Sequence, residues 1–377
     1  MAAAPPSPAQ IAKALEKRVV GQKDAVREMS VALSKKLAGL RVGNILLIGS
    51  SGSGKTTLMR AVEDLLAANA ALASRSTVVR IHANVLGEEA EQGHPGEKLL
   101  RRLLERAREQ LGDQAPIEKL LEQATHGLVF VDEVDKIRSQ VGGQPNVAGI
   151  RAQEALLTLI ENEAVAFALP DWAGGITVNV DSSQLLFVCA GAFEGLYDAV
   201  YYRVTAGKDQ GALKAVTVVD ESGRAREELQ FSLREWLKTE DLFEYGMSPQ
   251  FLSRFDAVVL LESLSEEALA RIFAEGGDSS LRQSQAYFQA FGFKLEITAE
   301  AAQRVVREAA RKPRLGARAL KEVFRRVVSP LEFDPQAAAG TGGVIRIDLE
   351  RVRQALASDR EGEAAATTSG WDQSFKG

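Results

Sequence analysis

The spacing of apolar residues changes repeatedly along this chain, and each change marks an element. From Gln10 to about Leu40, Ile11, Ala14, Leu15, Val26, Met29, Leu33 and Leu37 recur at helical intervals with a break at Val20-Gly21, so two helices are expected. After Gly43 the pattern becomes continuous: NILLIG, 44–49, reads as a strand buried on both faces, and a helix follows from Lys55 to about Asn69. TVVRI (77–81), GLVFV (127–131) and QLLFV (184–188) are further strands, separated by helical stretches such as Lys98–Leu111 and Ile150–Asn162. Strands alternating with helices predict an α/β fold, a parallel sheet covered by helices. ITVNV, 176–180, is either a small hairpin or an edge strand.

Beyond SRFDAVVLLE (253–262) the spacing is mostly helical, at Glu266–Phe273, Leu281–Phe291, Ala299–Arg311 and Ala317–Val328, before a short strand in GVIRIDL (343–349). A large α/β domain over 10–262 and a smaller, mainly helical domain over 263–357 are therefore expected. Residues 1–9 and the apolar-poor tail 358–377 read as disordered. No internal repeat is found.

Composition narrows the chemistry only a little. The 377 residues carry a net charge of -5, which gives no electrostatic case for nucleic-acid binding by the chain as a whole and leaves room only for a local basic face. One cysteine, Cys189, excludes an internal disulfide, and with three histidines it argues against a Cys/His zinc cluster. A reducing cytoplasm is the expected compartment. The longest apolar run, Leu185–Phe193, is far too short to span a bilayer.

The candidate chemistry sits at two strand ends. GSSGSGKT, 49–56, matches G-x-x-x-x-G-K-[ST] between a buried strand and a helix start. Backbone N–H groups of Ser51, Gly52, Ser53, Gly54, Lys55, Thr56 and Thr57 can curl around phosphate oxygens there, aided by the helix N-terminus. Lys55 would reach the terminal phosphates of ATP, and the Thr56 hydroxyl would ligate Mg2+. GLVFVDEVDKI, 127–137, ends a strand in two carboxylates. Asp132 can help hold hydrated Mg2+, and Glu133 can polarise the attacking water, which points to hydrolysis rather than binding alone.

Seven ordered blocks carry a resemblance: VVGQKDAV (19–26), NILLIGSSGSGKT, VFVDEVDKI, QEALLTLIEN (153–162), LLFVCAGAFEGL (185–196), SPQFLSRFD (248–256) and LGARALKEV (315–323). Their order and spacing resemble the ClpX/HslU-type AAA+ ATPases of the Clp family, over about Gln10 to Leu356. The resemblance implies a P-loop AAA+ domain, a small helical domain, a homo-oligomeric ring that is usually hexameric, and a protein client. By position, Val19, Val20 and Gly21 resemble the segment that packs on adenine. Arg254 resembles the arginine finger that reaches a neighbour's γ-phosphate, and Arg318 resembles the second sensor arginine. The basic stretch 311–326 then reads as a sensor helix.

Several positions depart from that family. Its pore loop reads Gly-aromatic-hydrophobic-Gly, whereas the matching residues here are Gly93, His94, Pro95 and Gly96. An imidazole and a stiff pyrrolidine present less apolar surface, so weaker grip on an arbitrary polypeptide is expected. The region around 141–149 would supply a second pore contact. No cysteine-rich N-terminal module is expected with one cysteine, and 205–231 contains no Ile-Gly-Phe-type tripeptide, which argues against docking to a Clp-type peptidase. Ala190 stands where a small polar first-sensor residue is usual. These features predict a remodelling ATPase that does not feed a peptidase; the rival expectation is an ATP-gated switch or scaffold in a larger protein or nucleic-acid assembly.

Overall fold

The computed structural model describes residues 5–68, 77–93, 96–161, 164–206, 214–219, 225–340 and 342–357, with backbone alone over 214–219 and 225–230. His94, Pro95 and the tail 358–377 lie outside the described residues. The chain divides into two compact units, one of Met1–Leu15, Asp24–Gly49 and Leu58–Leu261, the other of Glu16–Lys23, Ser50–Thr57 and Glu262–Gly377.

The first unit is built on a five-stranded parallel sheet. Its strands are β1 (Asn44–Ile48), β2 (Val78–His82), β3 (Leu128–Asp132), β8 (Leu186–Gly191) and β11 (Phe255–Leu260), in the order β11-β1-β8-β3-β2. Leu46, Leu47, Val129, Phe130, Val188 and Cys189 are all buried, as expected of strands covered on both faces. Burial pushes the Cys189 thiol well up, leaving it inert packing. Pairing places Asp132 level with Ala190 on one side and with His82 on the other. The carboxyl ends of β1, β3 and β8 thus share one edge, where ligands gather in open α/β sheets.

Helices α1 (Pro8–Leu15), α2 (Lys23–Leu37) and α3 (Lys55–Ala67) bracket β1 in the chain. Next come α4 (Ala83–Glu91), α5 (Glu97–Leu111) and α6 (Ile117–Thr125), and beyond β3 α7 (Val147–Glu161). In α5, Leu99, Leu100, Leu103, Leu104 and Ala107 form one buried stripe while Arg101, Arg102 and Arg106 are exposed. The buried Glu89 carboxylate accepts N–H bonds from Gly96 (3.1 Å) and Lys98 (2.8 Å), capping that helix from α4. Gly96 has φ 83°, and a Cβ there would lie 2.5 Å from Leu159, so only glycine fits.

ITVNV resolves as a hairpin rather than an edge strand, with β6 (Val165–Ala168) antiparallel to β7 (Thr177–Val180), outside the main sheet. Two further hairpins, β4 (Gln140–Val141) with β5 (Gln144–Pro145) and β9 (Lys214–Val219) with β10 (Ala225–Gln230), carry no apolar alternation strong enough to announce them. Short helices α8 (Leu196–Ala206), α9 (Leu233–Trp236), α10 (Thr239–Tyr245) and α11 (Pro249–Leu252) complete this unit.

The second unit packs α12 (Glu266–Glu275), α13 (Ser280–Ala290), α14 (Ala299–Ala310) and α15 (Ala317–Phe333) around Phe273, Phe288 and Phe324. Ser265, Ser279 and Thr298 accept N–H bonds at the starts of α12, α13 and α14, satisfying amides that helices leave open. The strand expected in GVIRIDL is β13 (Val344–Ile347), which pairs in parallel with β12 (Lys294–Ile297). α15 runs five residues beyond the expected Val328 and accommodates Pro330 within its last turn. The short α16 (Pro335–Ala338) precedes β13. Among the described residues no helix is long and apolar enough to cross a membrane.

Candidate functional site

Loop 50–57 leaves β1 and enters α3 directly, as its glycine pattern requires. Gly52 (φ 75°) and Gly54 (φ 110°) occupy the left-handed region, turning the chain tightly ahead of the helix N-terminus. Ser50 O accepts bonds from Ser53 N (3.2 Å) and from Lys55 Nζ (2.9 Å). Lys55 is 8% exposed, so its ammonium is held at the loop rather than free in water. The buried Ser53 Oγ has no hydrogen-bond partner. A left-handed glycine loop, an inward lysine and a helix N-terminus fit a phosphate chain.

The other segments of the same unit close on this loop. Ala317 N donates to Gly52 O at 3.1 Å, and Arg318 Nη1 donates to Ser51 Oγ. A Cβ on Gly52 would lie 2.2 Å from Leu315 O, and one on Gly316 would lie 2.6 Å from Gly52 O. The approach therefore needs glycine on both sides. Of the adenine-segment residues, Val19 is buried, Val20 packs against the helical core, and Gly21 (φ 79°) faces Leu264 and Ala268. The structure thus brings Val20, Gly21, Ser51, Gly52 and Arg318 together in one compact unit.

One member of this group is not evident from spacing. Gln22 is buried; its Nε2 donates to Ser53 O (2.9 Å) and Glu262 O (2.8 Å), and its Oε1 accepts from Glu262 N (3.0 Å). It ties the phosphate loop to the start of the helical segment. The signal in the sequence is thin: one amide beside Gly21 in VVGQKDAV.

At the end of β3, Asp132 Oδ1 accepts the N–H of Glu133 at 3.0 Å. Glu133 holds φ 61°, a left-handed conformation uncommon for a residue with a side chain, at the start of the 3-10 turn Val134–Lys136. Its carboxylate is half exposed and 3.7 Å from His82 Nδ1. This is a sparsely populated backbone conformation, held at a half-exposed carboxylate where the β3 strand ends. Behind it the buried Asp135 accepts Ala192 N at 3.1 Å, bracing β3 against the exit of β8. Burial, with the Asp135 carboxylate second, pushes the Tyr245 phenol up to about 12, so it stays a neutral donor. Ala190 is fully buried and offers no polar side chain. Among the described residues no group of three or more His, Cys, Asp or Glu could hold a metal ion.

The two arginines differ. Arg318 lies on the phosphate loop. Arg254, just beyond α11, is 46% exposed and its Nε pairs with Glu161 Oε1 at the end of α7. Gly93 (φ 80°) is exposed with open space around it, while Gly96 is buried against Leu159.

Residues 40–258 match the family described as AAA domain (Cdc48 subfamily). The chain is 30% identical over 345 residues to the ATP-dependent Clp protease ATP-binding subunit ClpX 2 of Wolinella succinogenes, covering 87% of this chain and 78% of that one. It is 30% identical over 356 residues to ClpX 3 of Methylococcus capsulatus (87% and 76%) and 28% identical over 350 residues to ClpX of Bacteroides thetaiotaomicron (87% and 77%). A phosphate loop closed by a basic helical segment, a carboxylate pair on the sheet edge and these matches converge: the chain belongs to the AAA family, as a ClpX-type AAA+ ATPase.

Proposed function

We propose that this ATPase assembles as a homo-oligomeric, hexameric ring in the cytoplasm and spends Mg-ATP on remodelling a protein partner without delivering it to a Clp-type peptidase. The observation that carries the nucleotide chemistry is the closed phosphate loop, with Gly52 and Gly316 packed backbone to backbone and Arg318 on Ser51. Mg-ATP supplies the γ-phosphoryl group and the charge to be neutralised. Lys55 and the N–H groups of Ser51–Thr57 would orient that phosphate, Thr56 and Asp132 are the residues that would hold the ion, and Arg318 would report on the bound state. Glu133, presented by its strained backbone, orients water and takes its proton. Arg254 serves the site of an adjoining protomer, which makes turnover depend on assembly.

The remodelling part rests on the ClpX resemblance, and its restriction rests on His94-Pro95 and on a 205–231 segment without a peptidase-docking tripeptide. The same His94-Pro95 pair favours a second reading, an ATP-gated switch whose nucleotide state controls binding to a larger assembly. Glu133→Gln separates them. This variant should bind ATP, lose turnover and retain its partner for identification. Parent ATPase stimulated by unfolded protein supports remodelling; stimulation only by a nucleic acid or one native partner overturns it in favour of the switch.

A further inference from the structure

Gln153 lies on the buried face of α7 with Leu156 and Ile160 and is 2% exposed. Its side chain is fully engaged. Nε2 donates to Ile137 O (2.7 Å) and to Gly246 O (2.9 Å), and Oε1 accepts from Ser248 N (2.8 Å). All three partners are backbone groups, on two segments remote from each other in the chain. Ile137 follows the turn that leaves Asp132 and Glu133. Ser248 caps α11, its Oγ accepting Phe251 N, and Arg254 comes two residues after that helix ends.

Neighbouring bonds join the same two segments. Ser139 N donates to Gly246 O at 2.8 Å, and the Arg138 guanidinium lies 4.9 Å from the centre of the Tyr245 ring. Asn146 N donates to Ser139 O at 2.8 Å, so the hairpin of β4 and β5 hangs from a residue that is itself bonded to Gly246. Eight residues further along α7, about 12 Å by helical rise, Glu161 holds the Arg254 side chain. One helix therefore grips the arginine-bearing segment twice, and at Gln153 it also grips the segment that leaves the acidic strand end.

We infer that Gln153 is a positioning residue for hydrolysis: its carboxamide sets the placement of the Gly246–Arg254 segment against the segment that carries Asp132 and Glu133. A side chain of the same size without donors would fill the space but leave Ile137 O and Ser248 N without partners, and the two segments could then shift independently. Displacements of about 1 Å at a charge-stabilising group can cost about a hundredfold in rate. Nucleotide affinity has no reason to follow, because the phosphate loop is held by Gln22 and by the 316–318 turn instead. The inference rests on the reading of Arg254 given above.

The test uses the full chain. Gln153→Leu, with its thermal midpoint recorded, should lower kcat about tenfold or more while KM and the Kd for a fluorescent ATP analogue stay within about twofold. Gln153→Glu adds a signature that a general structural defect would not give. Its carboxyl still accepts from Ser248 N but donates to Ile137 O or Gly246 O only when protonated. Its kcat relative to the parent should therefore rise as pH falls from about 8 to about 6. A folded Gln153→Leu with parental kcat overturns the inference. If Gln153→Leu does not fold, a relative kcat for Gln153→Glu that stays flat with pH overturns it. Arg254→Ala keeps the two claims apart: parental turnover there would remove the underlying reading, whereas loss of turnover beside unaffected Gln153 variants would remove only this inference.

Discussion

The Gly316–Arg318 turn and the Ser248–Arg254 segment each carry an arginine for which the ClpX/HslU resemblance implies phosphate chemistry, yet they hold it differently. Arg318 donates to Ser51 Oγ, and its backbone neighbours approach so closely that glycine is required at 52 and 316. Arg254 is half exposed and pairs with Glu161. The first arginine already contacts the 50–57 loop, within its own compact unit. The second is parked on a carboxylate and must exchange that partner to meet any phosphate. The contrast is what separate duties, sensing within a protomer and charge stabilisation across protomers, would produce.

Paired alanine substitutions break this comparison most strongly. Arg254→Ala should reduce kcat about a thousandfold, the usual worth of an arginine finger, and leave ATP affinity nearly unchanged. Arg318→Ala should instead weaken nucleotide binding roughly tenfold to a hundredfold, the loss of charged hydrogen bonds. Equilibrium binding together with steady-state turnover on both variants checks this. The same split should not appear in mixtures: an Arg254→Ala chain mixed with a Lys55→Ala chain should regain activity, since each supplies what the other lacks. Two variants with identical defects would mean that both arginines serve one site in the same way.

A smaller effect is expected from Glu161→Gln, which removes the charge that holds Arg254. An exposed ion pair contributes about 0.2–1 kcal/mol, so freeing the guanidinium should lower the protein concentration for half-maximal ATPase by about 1.4-fold to fivefold. Dilution series of parent and variant measure it. An unchanged midpoint would mean that the Glu161 pair does not compete with assembly.

Legibility followed the range of the interactions. β1, β3, the phosphate loop and α3 could be read because a double-faced strand must be continuously apolar and a phosphate loop must be rich in glycine; both constraints lie within a dozen residues. The order β11-β1-β8-β3-β2 could not, since it depends on pairings such as Asn44 with Phe255 across more than half of the chain. Gln22 and Gln153 escaped for a related reason: each binds backbone groups far away in sequence, and a backbone carbonyl has no letter of its own. Gln153 does leave one trace, a lone amide on the apolar stripe of α7. A buried amide in such a stripe has to be paid for with hydrogen bonds and should be counted as a candidate joint.

The smallest effect concerns how the Arg318 side of the comparison is kept in place. Lys312, just before the 3-10 turn Pro313–Leu315, pairs with Glu322 on α15 at 2.7 Å, and Arg326 joins the same carboxylate at 2.9 Å. The hydrogen bond from Lys312 is the main cause that holds the Glu322 carboxyl below its ordinary 4.5, against a partial opposing effect of burial. Such a group contributes its full stabilisation above the unfolded value and loses it as pH falls below about 4.5 through the lower folded value. Side chains this exposed are well screened, so the whole contribution should stay below about 1 kcal/mol. Between about pH 6 and pH 3 the parent should therefore lose slightly more stability than Glu322→Gln, whose neutral amide has no charge to lose. Urea midpoints across that range measure the difference. Parallel curves for the two chains would show that the turn bearing Arg318 is held by its glycine packing against Gly52 alone, with no help from this pair.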